Sequence, residues 1–416
     1  MFDPVSVEII KSAPELDGIV HERLPEYLTE MYTKIVNLRR KIIIPKITID
    51  KSDHEELQKL WRMAHTYSAL TIGGRLDKKQ KSGAAFVAGN AFNLIWQANK
   101  IGLTSFQSIN EFNDISISPV ILSAILFMIA EQPADAYEAS EKIELKTESL
   151  SSIDILEQAI YHLVRGSLKE ISKLPESDTK TLNIADASDL ESAAYQILWD
   201  RITKAIRKLS QELLNSFNSN ETPSWRSLLN DVINISLNTE TTEDFEFISS
   251  FAAPYHLASL LLKMGDELYQ KSVIRLPNPP RIDQNLWEGY LKTIAQRRPY
   301  LWQNHYDAIQ SGFLTPGVSS IITFPTGAGK STITEFKIVS TLLSGKSVVF
   351  LTPTKALVDQ VERDLKKNLD QYFTQDNLIE QLFASAPIDF SSYDFINGSI
   401  VEDSYFIDFN ETIPSV

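Results

Sequence analysis

Apolar positions recur at helical spacing through most of this 416-residue chain. Within Leu24–Ile44, Leu28, Met31, Ile35 and Leu38 step by three or four, which is one face of an amphipathic helix. Ala84–Ala98 is rich in Ala, Phe, Leu and Ile without the alternation of a half-buried strand. Ile153, Leu156, Ile160, Leu163, Val164, Leu168 and Ile171 keep helical steps, as do Leu198, Ile202, Ala205, Leu209 and Leu213. The polar stretch Ser172–Ser188 between them reads as a surface loop. Pro223–Leu237 and Asp244–Leu268 read as two further helices. The longest apolar run, Val120–Ala130, is too short to span a bilayer and reads as a buried helix. No fixed-period repeat stands out, so residues 1–272 are expected to form an all-helical domain.

The pattern changes after Ile274–Arg281, whose three prolines exclude regular helix and mark an interdomain linker. A short helix, Asn285–Arg297, completes a connecting region over 273–297. Beyond it, the β-branched run Val318–Thr323 reads as a strand. Ile333, Phe336, Ile338, Val339 and Leu342–Leu343 make an amphipathic helix ended by Gly345. Ser347–Leu351 is a continuous apolar run, the pattern of a buried parallel strand. Residues 298–416 therefore read as the first part of an α/β domain.

Composition adds little except in its distribution. The chain has no cysteine, which excludes disulfides and thiolate metal sites and suits a cytosolic protein. Its start shows no basic segment before an apolar core, so a cytoplasmic location without membrane attachment is expected. Net charge is −14, which argues against a basic coat for nucleic acid. Yet Trp287–Lys367 carries 10 Lys and Arg against 6 acids, while Asn368–Val416 carries 9 acids and no base. The six histidines show no metal-binding spacing, and the basic clusters of the helical region are what solvated helix faces ordinarily carry.

The chemistry lies in Ile321–Thr332, read as IITFPTGAGKST. A strand pattern, a glycine-bearing turn (Pro325–Ser331) and a helix start make the layout of a phosphate cradle. Gly327 and Gly329 let backbone N–H groups approach an oxyanion, and the helix directs its positive end at the same place. Lys330 supplies charge for the β- and γ-phosphates, and the Ser331 hydroxyl is a hard ligand for Mg²⁺. Phe324 stands where the general P-loop pattern has its first glycine.

The spelling PTGAGKS resembles the Walker A motif of superfamily 2 (DEAD/DEAH-like) helicases. Two neighbouring segments resemble that family as well. Pro299–Trp302 and Asp307–Ile309 are similar to its adenine-recognition segment, in which an aromatic packs on the base and a glutamine amide pairs with the base edge. Without a gap the glutamine position falls on His305, with Gln303 two residues earlier. Tyr300 and Trp302 are equally readable as core aromatics. Pro353-Thr354-Lys355 through Gln360 resembles motif Ia, which holds phosphates of a nucleic-acid strand at a helix start.

The resemblance implies a mostly α N-terminal domain followed by an incomplete α/β RecA-like (P-loop NTPase) domain. It implies ATP and Mg²⁺ bound by Thr326, Gly327, Ala328, Gly329, Lys330, Ser331 and Thr332, with Tyr300, Trp302, Gln303 and His305 at the base. Lys330 takes the catalytic role, and Pro353, Thr354, Lys355 and Gln360 take the nucleic acid, DNA ahead of RNA. A protein partner on the helical domain and a role in antiphage defence are further expectations of the same kind. Beyond Lys367 no apolar strand ends in paired acids, so no Walker B carboxylate is in sight. The chain is accordingly expected to be the N-terminal part of an ATP-dependent helicase or translocase, weak in hydrolysis alone. The other reading is a helical binding or regulatory module with a catalytically silent P-loop domain.

Overall fold

The computed structural model describes residues 2–16, 23–43, 51–100, 117–146, 148, 150–176, 187–215, 223–237, 239–241, 246–248, 251–324, 329–346, 348–352, 360–361, 363–365, 367 and 405–409. It is mostly helical and divides into two compact units, Met1–Gln270 and Lys271–Val416.

In the first unit, α1 (Pro4–Lys11), α2 (Leu24–Ile43), α3 (Lys51–Ile72), α4 (Lys78–Lys100), α5 (Pro119–Ile129), α6 (Pro133–Glu141), α7 (Ser152–Val164) and α8 (Leu168–Lys173) follow one another. Then come α9 (Ala187–Leu214), α10 (Trp225–Ser236), the hairpin strands β1 (Thr239–Thr241) and β2 (Glu246–Ile248), and α11 (Ala252–Gln270). The spacing of Leu28, Met31 and Ile35 does bury one face of α2. All of Val120–Ile129 in α5 is buried, as the apolar run between two prolines foretells. α4 meets α5 closely because Gly89 leaves room for the Phe127 ring, and Ser123 Oγ donates to the Gly89 carbonyl at 2.8 Å. Local signals set the helix starts: Ser151 and Asp154 form a reciprocal capping box on α7. No helix among the described residues is long and apolar enough to cross a membrane.

Asp244–Leu268 is not one helix. Glu246–Ile248 pairs antiparallel with Thr239–Thr241, and helix resumes only at Ala252. The β-branched and aromatic residues at 246–248 favour extended backbone once a partner strand lies alongside.

The second unit holds α12 (Gln284–Ala295), α13 (Gln303–Gln310), α14 (Lys330–Leu343), β3 (Val348–Thr352) and β4 (Tyr405–Phe409). The proline-rich stretch expected to be a linker is built into its core. Val273, Leu276 and Ile282 pack with Trp287, Tyr290 and Ile294 of α12 and with Ile333, Phe336 and Val339 of α14. Prolines prevent helix there without preventing burial of the apolar residues between them.

Two strand expectations need correction. Val318–Phe324 belongs to no ladder among the described residues, and Ile321 is 94% exposed. Local propensity makes a chain extended; a strand exists only where a neighbour supplies its hydrogen bonds. β3 forms where the apolar run predicts, yet it pairs antiparallel with β4, from Val348↔Phe409 to Thr352↔Tyr405. A run without alternation reports burial on both faces and says nothing of partner direction. Among the described residues there is thus no parallel doubly wound sheet.

Candidate functional site

The site assembles around the start of α14. Gly329 is its N-cap, in the left-handed region at φ 77°, ψ 34°. Its carbonyl accepts from Thr332 N at 3.0 Å and Ile333 N at 3.3 Å, closing the first helical turn. The same oxygen lies 3.1 Å from His305 Nε2. A carbonyl has no proton to give, so Nε2 carries the hydrogen and His305 donates. His305 itself is 2% exposed, and its ring also meets Phe324 with centroids 5.7 Å apart. A Cβ on Gly329 would stand 2.5 Å from Nε2, so both the backbone angle and the histidine demand glycine.

Lys330 and Ser331 follow at the first helical positions and are exposed; Thr332 is half-buried. A glycine N-cap has no side chain to cover the first-turn N–H groups, which suits that helix end to an anion. Ser331 and Lys330 together fit an Mg²⁺–phosphate ligand in donor type and exposure. A group of three or more His, Asp or Glu placed to hold a metal is not found among the described residues.

α13 carries His305 to this place. Tyr300 is 8% exposed, its phenol pushed up by burial, and meets Trp302 edge-on at 5.9 Å. It is a core residue, bridged to Ser272 through its backbone. Trp302 is half-buried at the N-cap of α13. Gln303 Nε2 donates to Asp307 Oδ1 at 2.5 Å, one turn along the same helix. Of the two residues that could stand for the base-reading amide, His305 meets the Gly329 carbonyl and Gln303 bonds to Asp307 of its own helix.

Residues not singled out from sequence also converge here. Glu335 of α14 is buried and accepts from Arg298 Nη1 at 2.9 Å, with Arg297 Nη2 3.7 Å away. Lys337 Nζ donates to the Thr315 carbonyl at 2.6 Å, fastening the turn before the loop. Burial, with Lys346 nearby, lowers the Lys337 pKa. A charge on the apolar side of α14, beside Ile333 and Phe336, was the available signal for Glu335. Thr326, Gly327, Ala328, Pro353, Thr354 and Lys355 lie outside the described residues. Gln360 is helical and exposed.

Residues 305–386 match the DEAD/DEAH box helicase family. The match opens at His305 and takes in Gly329–Thr332, β3 and Gln360, and it supports assigning this helicase-like segment to superfamily 2. It supports an ATP-dependent, nucleic-acid-handling function in general terms. Residues 1–304, the helical unit included, lie outside it. A comparison with curated proteins finds no match.

Proposed function

We propose that this chain is the nucleotide-binding part of an ATP-dependent nucleic-acid helicase or translocase. The observation that carries the reading is the bond from buried His305 to Gly329, directly before exposed Lys330 and Ser331 at a helix start. In this reading Thr326–Gly329 wrap the phosphates with backbone N–H groups, and Thr332 supports the turn from behind. Lys330 neutralises charge on the β- and γ-phosphates, and Ser331 offers an oxygen to Mg²⁺. Held through the Ser331 hydroxyl, Mg²⁺ would supply positive charge to offset that of the phosphates. Trp302, and less directly Tyr300, Gln303 and His305, shape the base end. Pro353, Thr354, Lys355 and Gln360 take the backbone of a nucleic-acid strand, DNA ahead of RNA.

The helical unit is then an accessory module for a protein partner or the nucleic acid, in a cytoplasmic enzyme of antiphage type. The alternative reading is a helical binding or regulatory module with a catalytically silent P-loop domain.

Two measurements test the proposal. Fluorescent Mg·ADP should bind the full chain, and Lys330→Ala should weaken it more than tenfold. ATPase turnover, expected to be weak in this chain by itself, should rise with single-stranded DNA and vanish in Lys330→Ala. Unchanged affinity and turnover in that variant would sink the assignment; binding without stimulated turnover favours the silent module.

A further inference from the structure

One charged group of the second unit lies where charge is costly. Glu335, in the second turn of α14, is 3% exposed among residues that feed the core. Its Oε2 receives Arg298 Nη1 at 2.9 Å, and its Oε1 lies 3.7 Å from Arg297 Nη2. Pairing a buried carboxylate does little more than offset its desolvation; the best-attested use of such a pair is to fix register. The register set here is between α14 and the segment that begins at Arg298.

That segment is held at several points. Glu335 lies five positions past Lys330, about 7.5 Å along the helix. At the segment's far end His305 is bonded to Gly329, 3.1 Å away. On its other edge Val273 N donates to the Pro299 carbonyl at 3.0 Å, and Leu301 N to the Lys271 carbonyl at 2.8 Å. Residues 299–305 therefore cannot slide along α14 while these contacts hold.

We infer that the Arg298–Glu335 pair is a positioning device for nucleotide, and the inference rests on the nucleotide-binding reading above. It fixes the separation between the base end, around Trp302, and the phosphate end, at Lys330–Ser331, without touching ligand at either. A ligand that reaches both ends gains from a spacing set in advance. A ligand that reaches only the phosphate end does not.

The test is calorimetric titration of the full chain with Mg·ADP and, separately, with Mg·tripolyphosphate. Arg298→Met keeps the aliphatic stem and removes the donor; Glu335→Gln keeps the shape and removes the charge. Each should weaken ADP about tenfold and tripolyphosphate less than threefold. The double variant should be no worse than the worse single, since both break one link. Arg298→Lys, which retains the charge, should recover part of the ADP affinity. Thermal unfolding without ligand identifies any variant that does not fold. Should Arg298→Met or Glu335→Gln be such a variant, Arg298→Lys carries the test, with a loss of about threefold on ADP alone. Equal loss on both ligands, or loss on neither, overturns the inference. Failure of the unmodified chain to bind either ligand removes the nucleotide-binding reading instead.

Discussion

Replacing Gly329 by Ala brings two penalties that the structure separates. The first is backbone strain: a residue with a Cβ held at φ 77° costs about 1–2 kcal/mol. The second is collision, because the new Cβ would stand 2.5 Å from His305 Nε2 and 2.6 Å from Cε1. His305 is buried, so the ring has little room to yield. Overpacking of this kind costs about 1–3 kcal/mol, and the lost bond to the Gly329 carbonyl about 1 kcal/mol more. Gly329→Ala should therefore destabilise the second unit by roughly 3 kcal/mol or more. His305→Ala should cost about 2–3 kcal/mol through its cavity and the same lost bond. With both changes the collision disappears and the bond is lost only once. The double variant should then be more stable than the singles predict, by about 2–4 kcal/mol. Hydrogen exchange of the α14 amides, read beside urea unfolding, reports the unit concerned. Additivity within about 0.5 kcal/mol would show that the two residues do not press on each other, and the account of the loop would be wrong.

Two further outcomes concern the helical unit. His65 and His256 lie with ring centroids 6.0 Å apart at the α3–α11 seam, and His256 Nε2 meets Ser68 Oγ at 2.7 Å. Burial lowers both to about 4, with His65 adding to the effect on His256. The unfolded chain then takes up protons first on acidification, so stability is full above about pH 6.5 and falls as pH drops towards 4. The loss has a ceiling of about 3 kcal/mol per histidine. Glu157, raised to about 7 chiefly by burial, works the opposite way, gaining stability as pH falls from 7 towards 4.5. The histidine effect is therefore read as the difference in urea midpoint between the parent and His65→Phe/His256→Gln from pH 7 to 5. A parallel pair of curves would refute it. In α11, Gly265→Ala should destabilise by about 1–3 kcal/mol despite better helix propensity. The added Cβ meets Trp225 Cζ3 at 2.7 Å, and that ring is fully buried. A stabilised variant in thermal unfolding would show that the ring can move.

Helices were legible because their signal is local. The steps of Leu28, Met31 and Ile35, or of Ile333, Phe336 and Val339, state which face is buried without reference to the rest of the chain. Strands were less so. Val318–Thr323 has strand composition, but its ladder partner is not a property of those six letters. β3 was placed correctly while its antiparallel neighbour, more than fifty residues on, was not foreseen. Within the site, spacing brought His305 to the loop region, but not to the Gly329 carbonyl. The Arg298–Glu335 pair spans 37 positions and leaves no periodic trace. Only an acid on an apolar helix face hinted at it. Prolines at 277, 279 and 280 signal irregular backbone, whereas the packing of Val273, Leu276 and Ile282 into the core is not written in their spacing.

The stretch Val318–Phe324, outside any ladder among the described residues and exposed over Val318–Ile321, has a consequence for proteolysis. Proteases bind substrates as extended chain, and a stretch without ladder bonds can be drawn into that shape, with Ile321 presented to solvent. A cut there would fall between the two halves of the site, with Arg298 and His305 on one fragment and Gly329, Lys330 and Glu335 on the other. The fragments would still be joined by the Trp287, Tyr290 and Phe336 packing and by the ion pair. A nicked chain would thus run as one species under native conditions and as two in denaturant.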